Sequence, residues 1–275
     1  MSILRGESSA RHAIAFRSDI GLAHRSNQDA GGAWTIQRSD ETAASLVAVA
    51  DGVSAGQHSE EASRLTIETV RERVFPLLQD SNVSIDSMAT ALLEASRSAN
   101  LRVARRPHVS LSNADATTLV TVCCIGDEGV GLWCGDSRVY RLTPGNTVRL
   151  TRDHSWAEEV VDQGLMSSEE AARDRRAHMI TRWLGPPERD DPGIETFRFE
   201  LPAGAAVMCC TDGLYGYFTS GDGASADEMA DRLFAFGTDL QAGVEALVDV
   251  ALERGGRDNI TAGAIMLNHE LERSE

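Results

Sequence analysis

Four aspartates of this chain share one setting: each stands where a short apolar run meets a residue that frees the backbone. Asp51 follows the run 46–50 and precedes Gly52. Asp136 follows Gly131-Leu132-Trp133-Cys134-Gly135. Asp212 follows 206–211 and precedes Gly213. Asp258 follows Gly255-Gly256-Arg257 and precedes Asn259-Ile260-Thr261, which opens another apolar run. Runs of this length suit buried strands, and Gly or Asn beside the acid permits an unusual turn. One such Asp is ordinary turn chemistry. Four of them place acids at the ends of sheet strands, where they can converge on one cleft. Converged carboxylates repel one another unless protonated or offset by cations. Mg²⁺ and Mn²⁺ offset them, because hard ions take all-oxygen ligands. Two such ions can orient a water, lower its pKa and stabilise a phosphoryl transition state. No Cys/His spacing of the zinc type is present.

The rest of the chain is read around those acids. Strand-length apolar runs fall at 13–16, 46–50, 119–125, 130–134, 205–210 and 261–266. Helical periodicity covers 59–75, with Pro76 as its stop, then 85–103 and 239–253. Strands and helices are grouped rather than alternating, which favours α+β with antiparallel sheets over a doubly wound parallel fold. Residues 184–192 are a loop by composition, and the three Arg of 102–107 suit a helix C-terminus.

Charge and length bound the function. With 26 Lys plus Arg against 42 Asp plus Glu, the net charge is −16, which fits neither a nucleic-acid binder nor a nuclease groove. The 275 residues suit a single catalytic domain, 1–275. No apolar run approaches the ~20 residues of a membrane helix. Residues 1–11 lack the apolar centre of a signal peptide. The expectation is a cytoplasmic monomer without membrane contact. Five cysteines, Cys123, Cys124, Cys134, Cys209 and Cys210, sit in apolar runs and read as buried free thiols.

A competing motif is Gly52-Val53-Ser54-Ala55-Gly56, which matches the nucleophile elbow Gly-x-Ser-x-Gly. It would make Ser54 a nucleophile, with His178 or His269 as base. The pattern is loose, no His-Gly-Gly-Gly-like oxyanion loop accompanies it, and the grouped elements do not suit that fold.

Taken together, the blocks resemble the metal-dependent protein phosphatase family (protein phosphatase 2C-like) in its compact bacterial form. The matching blocks are Ser18-Asp19-Ile20-Gly21-Leu22 with Asn27-Gln28-Asp29, and Ala50-Asp51-Gly52-Val53 through Glu60-Glu61-Ala62-Ser63. Thr117-Thr118, Gly135-Asp136-Ser137-Arg138 and Thr151-Arg152-Asp153-His154 follow in order. Thr211-Asp212-Gly213-Leu214 and Gly255-Gly256-Arg257-Asp258-Asn259-Ile260-Thr261 complete the set, which spans about 18–265. The resemblance implies a four-layer α-β-β-α sandwich of two antiparallel sheets flanked by helices. It implies hydrolysis of phosphoserine and phosphothreonine in proteins, with Mn²⁺ or Mg²⁺ and a hydroxide bridging two metals. Carried over, Asp51 would bridge the metals, Asp212 and Asp258 would complete one site, and the Gly52 carbonyl would serve the other. Asp136 with Asp212 would hold a possible third ion, Asp29 would hold metal-bound water, and Asn259 would support the site. Residues 156–182 match a mobile flap, with Ser167 and Glu170 spaced as a capping box. A phosphoprotein substrate and a cognate Ser/Thr kinase pathway are the partners implied.

Several positions depart from the family pattern. His24 holds the place of the family's phosphate-gripping Arg, and Arg25 comes one residue late. On a strand Arg25 would point the other way unless a bulge intervened, and His is a poor substitute for a bidentate guanidinium. Either residue is a candidate phosphate ligand. Gln28 replaces a Glu, Ser54-Ala55 a glycine pair, Gly56 a His, and Ala116 a Gly. The general acid is open among His58, His154 and His178. Against an active phosphatase stands the alternative of a metal-binding pseudophosphatase that acts as a regulatory interaction module.

Overall fold

The computed structural model describes residues 12–53, 58–106, 115–185, 191–219 and 226–268. In chain order its elements are β1 (His12–Asp19), β2 (Ala30–Gln37), β3 (Ala43–Ala50), α1 (Ser59–Val74), a 3₁₀ turn (Phe75–Gln79) and α2 (Ile85–Ala104). Next come β4 (Leu119–Ile125), β5 (Glu128–Cys134), β6 (Arg138–Thr143), β7 (Asn146–Arg149), α3 (Trp156–Asp162) and α4 (Ser168–Arg173). The chain continues through β8 (Glu195–Glu200), β9 (Ala206–Cys210), α5 (Asp212–Thr219), α6 (Ala226–Phe234), α7 (Leu240–Glu253) and β10 (Ile260–Leu267).

The strands form two antiparallel five-stranded sheets, ordered β1-β10-β9-β6-β7 and β2-β3-β4-β5-β8. They face each other across Val47, Val49, Val120, Val122 and Cys124 on one side and Val139, Val207, Cys209 and Ile265 on the other. Outside the second sheet, Leu46 and Ala48 meet Val70, Met88 and Leu92 of α1 and α2. Outside the first, Met208 and Ala264 meet Phe218, Leu233, Val244 and Leu247 of α5, α6 and α7. The layers are therefore α-β-β-α, as expected.

Strand β3 shows why the sequence reads this way. Alternate residues serve the two faces, and all eight are buried. A strand covered on both faces reads as one continuous apolar run. Each fully buried Val or Leu contributes about 1.5–3 kcal/mol.

Helices α1, α2 and α7 lie where periodicity places them. The Ser84 hydroxyl accepts from Ser87 N–H at 3.3 Å to start α2. Asp239 accepts from Ala242 N–H at 3.0 Å to start α7. Helix α1 tightens into the 3₁₀ turn as Pro76 enters. Arg102 bonds Thr69 Oγ1 at 3.0 Å, and Arg106 pairs with Glu61 and Asp115, so this basic run ties α2 to its surroundings. All five cysteines are buried and free.

Candidate metal centre

The chain reversals at one end of the sandwich bring the predicted acids together. Asp51 leaves β3, Asp136 sits between β5 and β6, Asp212 opens α5 directly after β9, and Asp258 precedes β10. Asp29, just before β2, joins them from the first loop. Thr118 N–H and Thr117 Oγ1 both donate to the Asp51 carbonyl at 2.8 Å. Asp51 N–H donates back to Thr118 Oγ1 at 3.0 Å, and that hydroxyl meets Ser137 Oγ at 2.8 Å beside Asp136. Thr211 Oγ1 donates to Asp29 Oδ2 at 3.0 Å. Asn259 ties the loop 20–29 to the start of β10. Its Oδ1 accepts from Gln28 N–H at 2.8 Å, and its Nδ2 donates to Ile20 O at 2.8 Å and Ser26 O at 3.2 Å.

The glycines beside two of the acids are needed for a reason other than the one expected. Gly52 and Gly213 do not adopt the left-handed backbone. A Cβ on Gly52 would stand 2.6 Å from Gln28 O, and one on Gly213 would stand 1.9 Å from Asn259 O. Close approach of backbones, not an unusual turn, excludes a side chain there. Gly135 and Gly255 do turn, with φ of 108° and 130°.

Asp29 is buried, Asp51, Asp136 and Asp212 are partly buried, and Asp258 is exposed. Protein surrounds the first four, and loss of hydration dominates their titration. It lifts Asp29 from 3.8 to about 7, helped by repulsion from Asp212 and Asp258 and opposed by the Thr261 and Thr211 hydroxyls. It lifts Asp136 to about 7, with Asp212 and Asp153 adding repulsion. Asp51 is pushed well above the carboxylate range by the same burial, then by Asp29, Asp212, Asp136 and Asp258. Asp212 is raised by burial and by Asp258, and it is drawn back by Gly213 N–H, a hydrogen bond with Asp51 and the nearby His178. Among the described residues no Lys or Arg forms an ion pair with any of the five. Nor do three acidic, thiol or imidazole groups among those residues stand as a preassembled cage. The chemistry of the set still fits hard cations: five carboxyls close enough to repel, with oxygen donors throughout.

The two candidate phosphate ligands part company. His24 Nε2 stands 3.2 Å from Asp258 Oδ1. Arg25 is exposed and has no ion pair among the described residues. The strand argument for Arg25 does not apply, because 20–29 is a loop between β1 and β2, where Leu22 N–H bonds Gly256 O at 2.7 Å.

The candidate general acids also separate. His154 is buried, stacks on Trp133 with centroids 5.6 Å apart, and accepts at Nδ1 from Gly135 N–H at 3.1 Å. Its Nε2 meets Glu195 Oε1 at 3.2 Å, so both ring nitrogens are committed. His58 lies exposed just before α1, its N–H bonding Asp115 Oδ1 at 2.9 Å. His178 is exposed in the segment 156–182, near Asp212. Ser54 and His269 of the nucleophile-elbow reading lie outside the described residues, as do Ala55 and Gly56. The capping box expected in 156–182 is formed, with Ser167 N–H donating to Glu170 Oε2 at 2.9 Å and Glu170 N–H to Ser167 Oγ at 3.3 Å.

The individual jobs of Thr117, Thr118, Ser137, Thr211, Thr261 and Tyr215 in holding the acids are visible only in three dimensions. A hydroxyl residue near nearly every Asp was the available signal.

Two sheets packed between helix layers, with carboxyls clustered at one end, are the architecture to compare with known proteins. The chain belongs to the protein phosphatase 2C family, whose model matches residues 23–250. The PPM Ser-Thr phosphatase MsPP from Mycobacterium smegmatis, solved in complex with cacodylate, is 31% identical, with TM-score 0.70 over 93% of this chain and 98% of that one. The catalytic domain of PstP, solved in complex with two manganese ions, is 25% identical, with TM-score 0.71 over 94% of this chain and 99% of that one. The serine/threonine protein phosphatase PstP of Mycobacterium tuberculosis is 29% identical over 248 residues, 90% of this chain. This chain spans 43% of that relative's length.

Proposed function

We propose that this chain is a phosphoserine/phosphothreonine protein phosphatase that works with two Mn²⁺ or Mg²⁺ ions. The observation that carries the reading is the repulsion among Asp29, Asp51, Asp136, Asp212 and Asp258, with no Lys or Arg ion-paired to them among the described residues. Family membership and the two manganese ions of the PstP catalytic domain support it.

Asp51, the Gly52 carbonyl, Asp212 and Asp258 would hold the core ions, Asp136 with Asp212 a third, and Asp29 would serve the outer shell. Divalent cations supply Lewis acidity there, activating water for attack on phosphorus and offsetting phosphoryl charge. The chain's own contribution is placement. Thr117 and Thr118 fix the Asp51 backbone, and Asn259 fixes the Gln28 loop against the start of β10. His24, shared with Asp258, is a weaker phosphate contact than a guanidinium, and Arg25 adds an exposed cation beside it. We read 1–275 as one catalytic domain acting as a monomer in the cytoplasm on phosphoproteins of a kinase pathway. No helix among the described residues is long and apolar enough to cross a membrane.

The His24–Asp258 pair favours one second reading, a metal-binding pseudophosphatase with regulatory binding in place of turnover. Phosphothreonine-peptide hydrolysis with Mn²⁺, with EDTA and with Asp212→Asn separates the two. Turnover that needs both Mn²⁺ and Asp212 establishes the enzyme. Mn²⁺ binding without turnover establishes the pseudophosphatase.

A further inference from the structure

Helix α5 begins with Asp212 and carries Tyr215 and Tyr217 in the turns that follow. Each tyrosine reaches the backbone beside a different carboxylate. The buried Tyr215 donates its hydroxyl to the main-chain oxygen of Asp136 at 3.1 Å. The Tyr217 hydroxyl accepts the N–H of Arg257, the residue before Asp258, at 2.8 Å.

The first of these contacts is held from the other side as well. The Arg138 guanidinium lies 3.6 Å over the Tyr215 ring. Arg138 is pinned by Asp153 at 3.0 and 2.7 Å and donates to the Tyr140 hydroxyl at 3.2 Å. Asp153 is itself held by Arg149 at 3.0 Å. Tyr215 therefore has a fixed ring and a directed hydroxyl. The three tyrosines of the chain all belong to this arrangement.

We propose that Tyr215 and Tyr217 are positioning residues that use one rigid helix as a ruler. Through their hydroxyls they set where Asp136 and Asp258 stand relative to Asp212, the acid that opens the same helix. The inference rests on the metal-dependent phosphatase reading and says which atoms keep its outer acids in register. Groups that orient ligands from behind govern metal affinity as well as the ligands do.

The test is Mn²⁺ calorimetry on the full chain as wild type, Tyr215→Phe, Tyr217→Phe, Asp136→Asn and the double variant Asp136→Asn/Tyr215→Phe. Phe keeps the ring under Arg138 and removes only the hydroxyl. Tyr215→Phe is expected to weaken, by about three- to tenfold, the binding step that Asp136→Asn removes, the worth of one hydrogen bond. It is expected to add nothing in the Asp136→Asn background, where the main-chain hydrogen bond remains but the carboxylate it positions is gone. Tyr217→Phe is expected to weaken a step that Asp136→Asn leaves intact. Wild-type affinities in both Phe variants overturn the inference. So does an equal loss from Tyr215→Phe in both backgrounds, which is what general loosening produces. Should Tyr215→Phe fail to fold, Tyr217→Phe decides the matter through Asp258. A wild-type chain that binds no Mn²⁺ removes the phosphatase reading and this inference with it. A wild type that binds Mn²⁺, with Phe variants that match it, removes the inference alone.

Discussion

The core between the sheets and the acidic end of the sandwich are built from the same strands, yet they are opposite environments. Val49 of β3 and Cys209 of β9 lie in the dry core. Asp51 and Asp212 come two and three residues later, roughly 7–10 Å along an extended chain. In the core, burial drives the Cys124 and Cys209 thiols well above their ordinary range, so they stay neutral and behave as small apolar groups. At the strand ends the same loss of hydration acts on acids that also repel one another. The core is complete without help. The acidic end is held in an unfavourable arrangement by the core behind it, so stability and function are carried by neighbouring residues of one strand.

The sharpest way to break this contrast is Asp212→Asn. Turnover with Mn²⁺ is expected to fall by about a thousandfold or more, losing several kcal/mol of transition-state stabilisation. Circular dichroism should stay unchanged. Retained full activity would remove the metal-centre reading.

Leu46→Ala is the converse experiment. It opens a cavity against α1 and α2 and is expected to cost about 2–5 kcal/mol. The loss should be the same in Mn²⁺ and in EDTA, with Mn²⁺ affinity unchanged. A changed affinity would show that core and acidic end are mechanically coupled.

The pH dependence of stability comes next. Asp29 and Asp136 are raised from 3.8 to about 7 in the fold. Their protonation therefore favours the folded state at low pH, and that contribution is lost as pH rises from about 4 through about 7. In EDTA, thermal scans should show wild type losing ground to Asp136→Asn over this window. With Mn²⁺ present, wild type should regain it above pH 7. Parallel curves in EDTA would mean that Asp136 carries no penalty.

The smallest effect expected is that of Arg25→Ala. It should raise KM for a phosphopeptide a few-fold with little change in kcat, as loss of uniform binding does. An unchanged KM would leave phosphate contact to His24 or to another group.

What could be read from the chain follows the same division. Strands β3, β4, β9 and β10 are covered on both faces, so their apolar runs are unbroken and stand out. The edge strands β2, β7 and β8 escape notice because they alternate, contain Gly31 and Gly32, or carry Glu195, Arg198 and Glu200. Helix α5 is missed because its sequence, Asp212-Gly213-Leu214-Tyr215-Gly216-Tyr217-Phe218-Thr219, holds two glycines and is short. The four strand-end acids were legible from their shared setting, whereas Asp29 needed the family resemblance. Thr118, Thr211 and Tyr215 work through partners 67, 182 and 79 positions away, a distance at which local pattern has no reach.

The pairing of β1 with β10 has a consequence in time. His12 lies opposite Leu267, and among the described residues β10 is the strand that pairs with β1. Asp258 and Asn259 stand immediately before β10, and Asn259 is what fastens the loop leading to Asp29. During synthesis β1 must wait for β10, more than 240 residues later, and so must the acid centre. Closing so long a loop is slow and comes late in folding. A nascent or truncated chain that stops short of β10 thus carries all five acids without the strand pairing that holds their end of the sandwich together.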